Sequence, residues 1–392
     1  RYMFNKLGIK SKNIAVIYLS MLIGGLLFFL PILALYFEKN LFSVTNVAII
    51  FAVEAIAFAV FEMPTGAIAD LFGRKRTIIS ANIISILALV FLYIGGSMIM
   101  FILYAIINSF ARSLTSGTDS ALIYDTLKEE NKEHSYKKVI GTYHALWPIG
   151  ASVGSIIGGH LAKVSLSFPI LLTFIPLSIA TILTFFLKEP RYEKEDHRNV
   201  FRHMINSLKI IINNKQLVIL MIGGFILMAF GETIHLLGPL FFKFKEIPIE
   251  FFGWIVAFVF GFSSLGHYIS HSVSEKFGNK RTLLLAVIGS PLLLLLATLS
   301  TKYTAIIIFI IPSIFFGLRN PIIDHLLNLE VSSSKRATII STSNFLGQLG
   351  LAIFAPMIGY FAELYTINTA FKISALLMFS VPIVYFFLKD KK

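Results

Sequence analysis

The chain has 392 residues, 56% of them hydrophobic and 14% charged, with a net charge of +13 and a mean hydropathy of +0.80. Soluble domains carry about 25% charged residues; a chain this apolar has too little polar surface to cover a soluble core, and an integral membrane protein is expected. The absence of cysteine excludes disulfides, thiolate metal sites and cysteine nucleophiles, and the basic charge reads as membrane topology rather than as a footprint for nucleic acid.

Residues 1–12 are basic, and the first apolar run is too long for the h-region of a cleavable signal peptide. Twelve apolar spans are predicted, near 13–37, 44–71, 77–97, 99–127, 136–163, 167–187, 216–243, 250–277, 281–300, 303–329, 336–364 and 368–388. Each reaches the roughly 20 residues that cross ~30 Å of hydrocarbon. Backbone polar groups must be satisfied inside lipid, so the spans are expected to be helices. Of the 34 Lys and Arg residues, 26 lie at the two termini, in loops after even-numbered spans and in 188–215, while the opposite loops hold little beyond Lys39, Lys163, Lys243, Lys245 and Lys302. The positive-inside rule then puts both termini in the cytoplasm of a multi-pass protein, in a plasma membrane of the prokaryotic inner-membrane type. The longest polar stretch separates an N-terminal six-helix bundle (1–188) from a C-terminal one (216–392), with 189–215 as a cytoplasmic linker, partly an amphipathic surface helix.

The second span holds Glu54 near its middle and Glu62 beside Pro64. An unpaired carboxylate in lipid takes up a proton, which suits proton coupling; a hydrogen-bonded helix contact is the equal alternative. The span runs into Gly66-Ala-Ile-Ala-Asp70-Leu-Phe-Gly73-Arg74-Lys75-Arg76, and a weaker copy, His271-Ser-Val-Ser-Glu275-Lys-Phe-Gly278-Asn-Lys280-Arg281, follows 205 residues later. Gly66 permits close helix approach, Gly73 a tight turn, and Asp70 can accept loop N–H bonds and pair with Arg74. Asp125 and Glu330 match at the same offset.

The fourth span carries Asn108, Arg112 and Asp119. Arg112 and Asp119 are seven residues apart, about two turns, so they share nearly one face. A charge at mid-membrane needs a partner or a cavity; Arg112 with Asp119 or with Glu54 is the expected pair, for coupling or as a structural ion pair. The fifth span offers His144 and Trp147 as cavity residues, then Gly150-Ala-Ser-Val-Gly154-Ser155-Ile-Ile-Gly158-Gly159, a bare stripe for close packing. In the seventh, Glu232 and His235 stand at i, i+3 on one face, and His titrates near physiological pH. His267 and His271 have a metal-capable spacing without a third ligand, so no metal site is expected. Arg319, Asp324 and His325 form a second-half counterpart to the charges of the fourth span, and Asn320, Asn344 and Gln348 are further cavity candidates.

Two six-helix halves, a central linker and the repeated loop resemble the major facilitator superfamily of secondary transporters over the whole chain. The resemblance implies an all-α membrane protein, with twelve transmembrane helices in two pseudo-symmetric bundles, that binds substrate between the halves and works by alternating access. It also implies a cytoplasmic gate from Asp70, Gly73, Arg74, Arg76, Asp125, Glu275, Arg281 and Glu330, with Leu71 standing where a basic residue is usual. The glycine stripe resembles the antiporter signature of the drug-efflux branch, with Ser155 in place of its proline. The expected function is therefore proton-coupled efflux of amphipathic or lipophilic small molecules by a monomer. The alternatives are an importer or facilitator of a polar nutrient (sugar, nucleoside, peptide or organic acid) and a lipid flippase on the same fold. No ATP-binding loop or catalytic triad is present in the sequence. No cofactor and no enzymatic activity are expected, and a proton gradient supplies the drive.

Overall fold

The computed structural model describes residues 11–191, 210–331 and 333–389, with the backbone course alone at 63–70 and 333–338. The expected surface helix of the linker falls largely on 192–209 and the Asp70 side chain within 63–70, both outside the described residues. Every regular element among the described residues is helical. In chain order these are α1 (Lys12–Gly24), α2 (Leu33–Leu41), α3 (Val44–Phe72), α4 (Arg74–Ile94), α5 (Met98–Thr115), α6 (Thr118–Glu129), α7 (Tyr136–Leu161), α8 (Ser167–Phe185) and α9 (Lys215–Ile226). They continue with α10 (Thr233–Leu236), α11 (Gly238–Phe244), α12 (Glu250–Phe277), α13 (Asn279–Leu299), α14 (Lys302–Ile310), α15 (Pro312–Leu329), α16 (Ser333–Leu364), α17 (Ile367–Met378) and α18 (Ser380–Phe386). Taken with their continuations, ten are long and apolar enough to cross a membrane.

Two of the twelve predicted spans fall outside that set, for different reasons. The first is broken: α1 stops at Gly24, and the chain turns through 25–29 into a short 3-10 turn, Leu30–Ile32, before α2. Pro31 supplies no N–H and clashes with a continuing helical carbonyl, which favours a break here. The fifth, α7, is continuous over 26 residues, but glycine, Lys137 and Lys138 dilute its hydropathy. Other expected helices are also interrupted. Gly117 at φ +80 separates α5 from α6. A π-helical segment, Leu227–Glu232, follows α9, and Pro239 starts α11.

The 205-residue repeat is visible in the backbone. Gly73 and Gly278 both adopt positive φ, +97 and +87, each just ahead of a following helix. A side chain in that conformation would be strained, so glycine is required at both repeat positions.

Contact between the earlier helices (α1–α8) and the later ones (α9–α18) is made chiefly by α3 against α16 and α7 against α12. Bare glycine surfaces carry it. A Cβ on Gly359 would sit 2.9 Å from the Thr45 Cα, one on Gly159 would sit 2.9 Å from the Gly253 nitrogen, and one on Gly253 would collide with the Ser155 carbonyl. These contacts lie at the ends of the helices remote from the basic loops, which we call the far side. A neighbouring stripe of α7, Gly150, Gly154 and Gly158, packs on the backbone of 22–28, where a Cβ on Gly158 would overlap the Phe28 carbonyl oxygen. On a third stripe Ile149, Val153 and Ile157 are exposed, as suits a lipid-facing surface.

Backbone cannot yield as a side-chain tip can, so overpacking here costs about 1–3 kcal/mol. We predict that Gly158→Ala lowers the thermal midpoint of the detergent-solubilised protein by several degrees. Gly141→Ala, whose Cβ would meet nothing within 4 Å, should leave the midpoint unchanged or raised.

Candidate functional site

A cavity of about 960 Å³ opens between the earlier and later helices. Its wall includes Glu54 and Phe58 of α3, Asn82 of α4, Asn108 and Arg112 of α5, Asp119 of α6, and Tyr143, His144 and Trp147 of α7. The later helices contribute Glu232, His235, Phe260, Ser263, Phe309, Phe316 and Arg319. Towards the basic side the lining reaches Ile17, Ile78 and Asp119; at the other end it stops at Ala34, Phe51, Pro239 and Phe242.

Glu54 organises the first-half wall. One carboxylate oxygen accepts from Arg112 Nη1 at 2.9 Å and from Asn108 Nδ2 at 3.1 Å. Ser109 donates to the Glu54 backbone carbonyl at 2.9 Å. The Arg112 guanidinium also lies 5.1 Å from the Phe58 ring centroid, a cation–π distance. Arg112 lies in the last turn of α5, and its side chain is 56% exposed because it faces the cavity.

Of the two expected partners for Arg112, the structure selects Glu54. Asp119 instead accepts a hydrogen bond from the Tyr143 hydroxyl. Two turns of continuous helix would have put Arg112 and Asp119 on one face, but the break at Gly117 starts a new helix with a new phase. Glu62 accepts from Ser116 at 3.3 Å and is absent from the cavity lining.

In the second half, Glu232 closes the π-helical segment and His235 lies in the following short helix; both line the cavity. A π segment re-aims side chains that a regular helix would direct elsewhere. His144 and Trp147 line it too, and Trp147 meets Phe260 edge-on at 5.6 Å across the two halves. Three expected cavity residues, Asn320, Asn344 and Gln348, lie outside the lining, because polarity marked them without regard to the face they occupy. Arg319, set aside at first as a counterpart charge, does line it, whereas Asp324 and His325 are exposed elsewhere.

The expected basic-side gate is only partly assembled. Arg74 Nε is 3.2 Å from Asp125 Oδ2, both side chains largely buried. The two carboxylate oxygens of Glu189 accept from the Arg74 and Lys75 backbone N–H groups at 2.7 and 2.9 Å, capping the first turn of α4 where the helix dipole favours an anion. These contacts join elements within the first half. Arg76, Glu275 and Arg281 are exposed, with Glu275 3.9 Å from His271. Glu330 accepts from Asn214 at 2.9 Å, at the start of α9.

The cross-half polar contacts that sequence reasoning missed lie on the far side. Lys243 Nζ is 2.8 Å from both oxygens of Glu38, and Lys163 Nζ 3.4 Å from Glu250. Glu363 accepts from the Thr45 N–H at 3.0 Å and hydroxyl at 2.6 Å. Glu38 and Lys243 are themselves 205 residues apart, a signal the repeat offset already held. Exposed pairs of this kind contribute roughly 0–1 kcal/mol each, so the glycine packing beneath them does most of the closing.

Comparison with known proteins fits this architecture. A model of the Major Facilitator Superfamily matches residues 14–270 and 236–392. The uncharacterized MFS-type transporter YxaM of Bacillus subtilis is 24% identical over 384 residues, covering 93% of this chain and 92% of its own. The cis,cis-muconate transport protein of Acinetobacter baylyi is 24% identical over 343 residues, covering 82% and 80%. Among solved structures, a mutant of the nucleoside transporter NupG superposes with a TM-score of 0.83 at 16% identity, covering 96% of this chain and 100% of its own. A D-xylose-proton symporter does so with a TM-score of 0.69 at 15% identity, covering 94% and 98%. With the family model matched along nearly its whole length, the chain belongs to the major facilitator superfamily of secondary transporters.

Proposed function

We propose that this transporter takes up a small polar solute, with 1–188 and 216–392 as two six-helix bodies that rock about the solute and 189–215 as their cytoplasmic connector. In this reading both termini are cytoplasmic in a prokaryotic inner membrane, and the far side is the outside. The observation that carries it is a cavity between the two halves, walled by Glu54, Arg112, Asp119, Glu232, His235 and Arg319 and stopped on the far side by apolar residues. Its volume is that of a small-molecule pocket, and so many ionisable groups suit a polar solute better than a lipophilic drug. The conformation is then the inward-facing one, with the outer gate shut.

Two further observations favour uptake over drug efflux. The α7 glycines that suggested an antiporter are accounted for by their packing on α1 and α12. Those of the named relatives whose names state a cargo carry muconate, nucleosides or D-xylose rather than drugs. Coupling to protons is assigned to the Glu54–Arg112 pair and to Asp119 with Tyr143. Each is a carboxylate lining the cavity, Glu54 neutralised by Arg112 with a further donor in Asn108 and Asp119 held by the Tyr143 hydroxyl, able to exchange a partner for a proton.

In proteoliposomes with an imposed proton gradient, uptake from a panel of labelled nucleosides, pentoses and organic acids is expected, without extrusion of lipophilic dyes; dye extrusion with no uptake would reinstate efflux. Glu54→Gln and Asp119→Asn should each lower gradient-driven uptake by about tenfold or more, a loss of at least ~1.4 kcal/mol in driving the cycle, while solute exchange without a gradient persists. Full driven uptake in both variants would refute the coupling assignment.

The closed outer gate is tested separately. In this cysteine-free sequence, Thr45→Cys with Glu363→Cys should be joined by a short bismaleimide and uptake should stop. Failure to cross-link would show that the resting protein is not closed on that side.

A further inference from the structure

Arg319 differs from every other cation in the cavity wall. Its residue is 7% exposed, it sits well inside α15, and it lines the cavity. Among the described residues it makes no salt bridge and no side-chain hydrogen bond; its contact is with a ring, the guanidinium carbon lying 5.1 Å from the Phe316 centroid. Glu232 and Tyr385 are near enough to act on it electrostatically, yet Glu232 is not within ion-pair distance. Arg112, on the opposite wall, is answered by Glu54 at 2.9 Å. The cation of one wall is therefore answered by its own carboxylate, whereas the other wall presents a buried cation with its donors unused.

A buried charge left without a partner is strongly unfavourable, and a guanidinium carries five donors in a planar fork that matches a carboxylate two bonds at a time. The surroundings of Arg319 add the rest of the specification. Phe316 stacks beside it, the same cavity wall carries Phe309, Leu294 and Leu227, and Trp147 and Phe260 meet edge-on in the lining. We propose that Arg319 is the docking residue for the carboxylate of the transported solute, and that the solute is a small organic acid whose unsaturated or aromatic body lies against Phe316 and the neighbouring rings. The proposal rests on the uptake reading and narrows it to one chemical class. It excludes nucleosides and pentoses, which carry no fixed negative charge to satisfy the guanidinium.

The test is binding to the purified full-length protein in nanodiscs, by calorimetry and thermal shift, with cis,cis-muconate and benzoate as charged probes and benzamide, uridine and xylose as uncharged ones. The wild type should bind one or both carboxylates and none of the uncharged probes. Arg319→Gln should weaken carboxylate binding at least tenfold; Arg319→Lys, which keeps the charge and loses the fork, should fall between. The two variants bracket the case in which loss of the guanidinium alone disturbs folding, because Lys preserves the cation. Binding of uridine or xylose in place of the carboxylates would overturn the proposal, as would carboxylate binding of wild-type strength in either variant. Those results would leave the uptake reading intact. Uptake is judged independently by the proteoliposome panel, where transport of a pentose or nucleoside alone would keep the transporter reading and reject this one.

Discussion

The rest of the structure depends on one rule of the membrane interior: a backbone N–H or C=O in hydrocarbon must find its partner within its own helix. Helices are therefore continuous wherever they face lipid, and the chain can depart from helix only where protein or water takes over. The interruptions here obey that rule. Gly24, Leu27 and Leu30 at the first break, Ser116 and Gly117 at the second, Leu227, Met228, Gly231 and Glu232 in the π segment, Pro239, Pro312 and Met378 all border the cavity. The same departures aim polar side chains inward. Asp119 reaches Tyr143 because a new helix begins after Gly117, and Glu232 ends a π segment. Site and irregularity have one origin.

That origin explains what could be read from the amino-acid string. Hydropathy alone located the ten helices long and apolar enough to cross a membrane among the described residues, since lipid imposes length and apolarity on each. The offset between Asp70 and Glu275 exposed the repeat, and the matched positive-φ glycines at 73 and 278 show why the copy kept its glycine. Helix phase was not legible across a break. The seven-residue spacing of Arg112 and Asp119 is sound for a straight helix, but Gly117 at φ +80 starts a new one between them. Asn320, Asn344 and Gln348 were chosen for polarity, and polarity does not say which face a residue occupies. The Glu38–Lys243 contact is hidden differently: the two residues lie near the far-side ends of α2 and α11, where the charge of Lys243 reads as topology alone.

The cavity's charge is distributed unevenly between its two walls. Glu54, Asn108 and Arg112 form a closed polar cluster in which each charge has an answer. The other wall pairs aromatic surface with Arg319 and leaves Glu232 and His235 at a distance. A duplicated fold thus gives one half a self-contained charge pair and the other an open valence, a division suited to coupling in one wall and cargo recognition in the other.

The meeting of Gly159 with Gly253 has a mechanical side. With no side chains between them, α7 and α12 touch backbone to backbone near their far-side ends, so in the proposed rocking motion the contact can serve as a fulcrum. From Gly159 back to Tyr136 the helix runs roughly 35 Å at ~1.5 Å per residue. A tilt of about 10° about that point would sweep its other end through about 6 Å at the same rise, the width of a small solute. A pair of hydrogens thereby sets the leverage of the whole machine: any larger residue would move the pivot along the helix, shorten the arm and narrow the opening it can make.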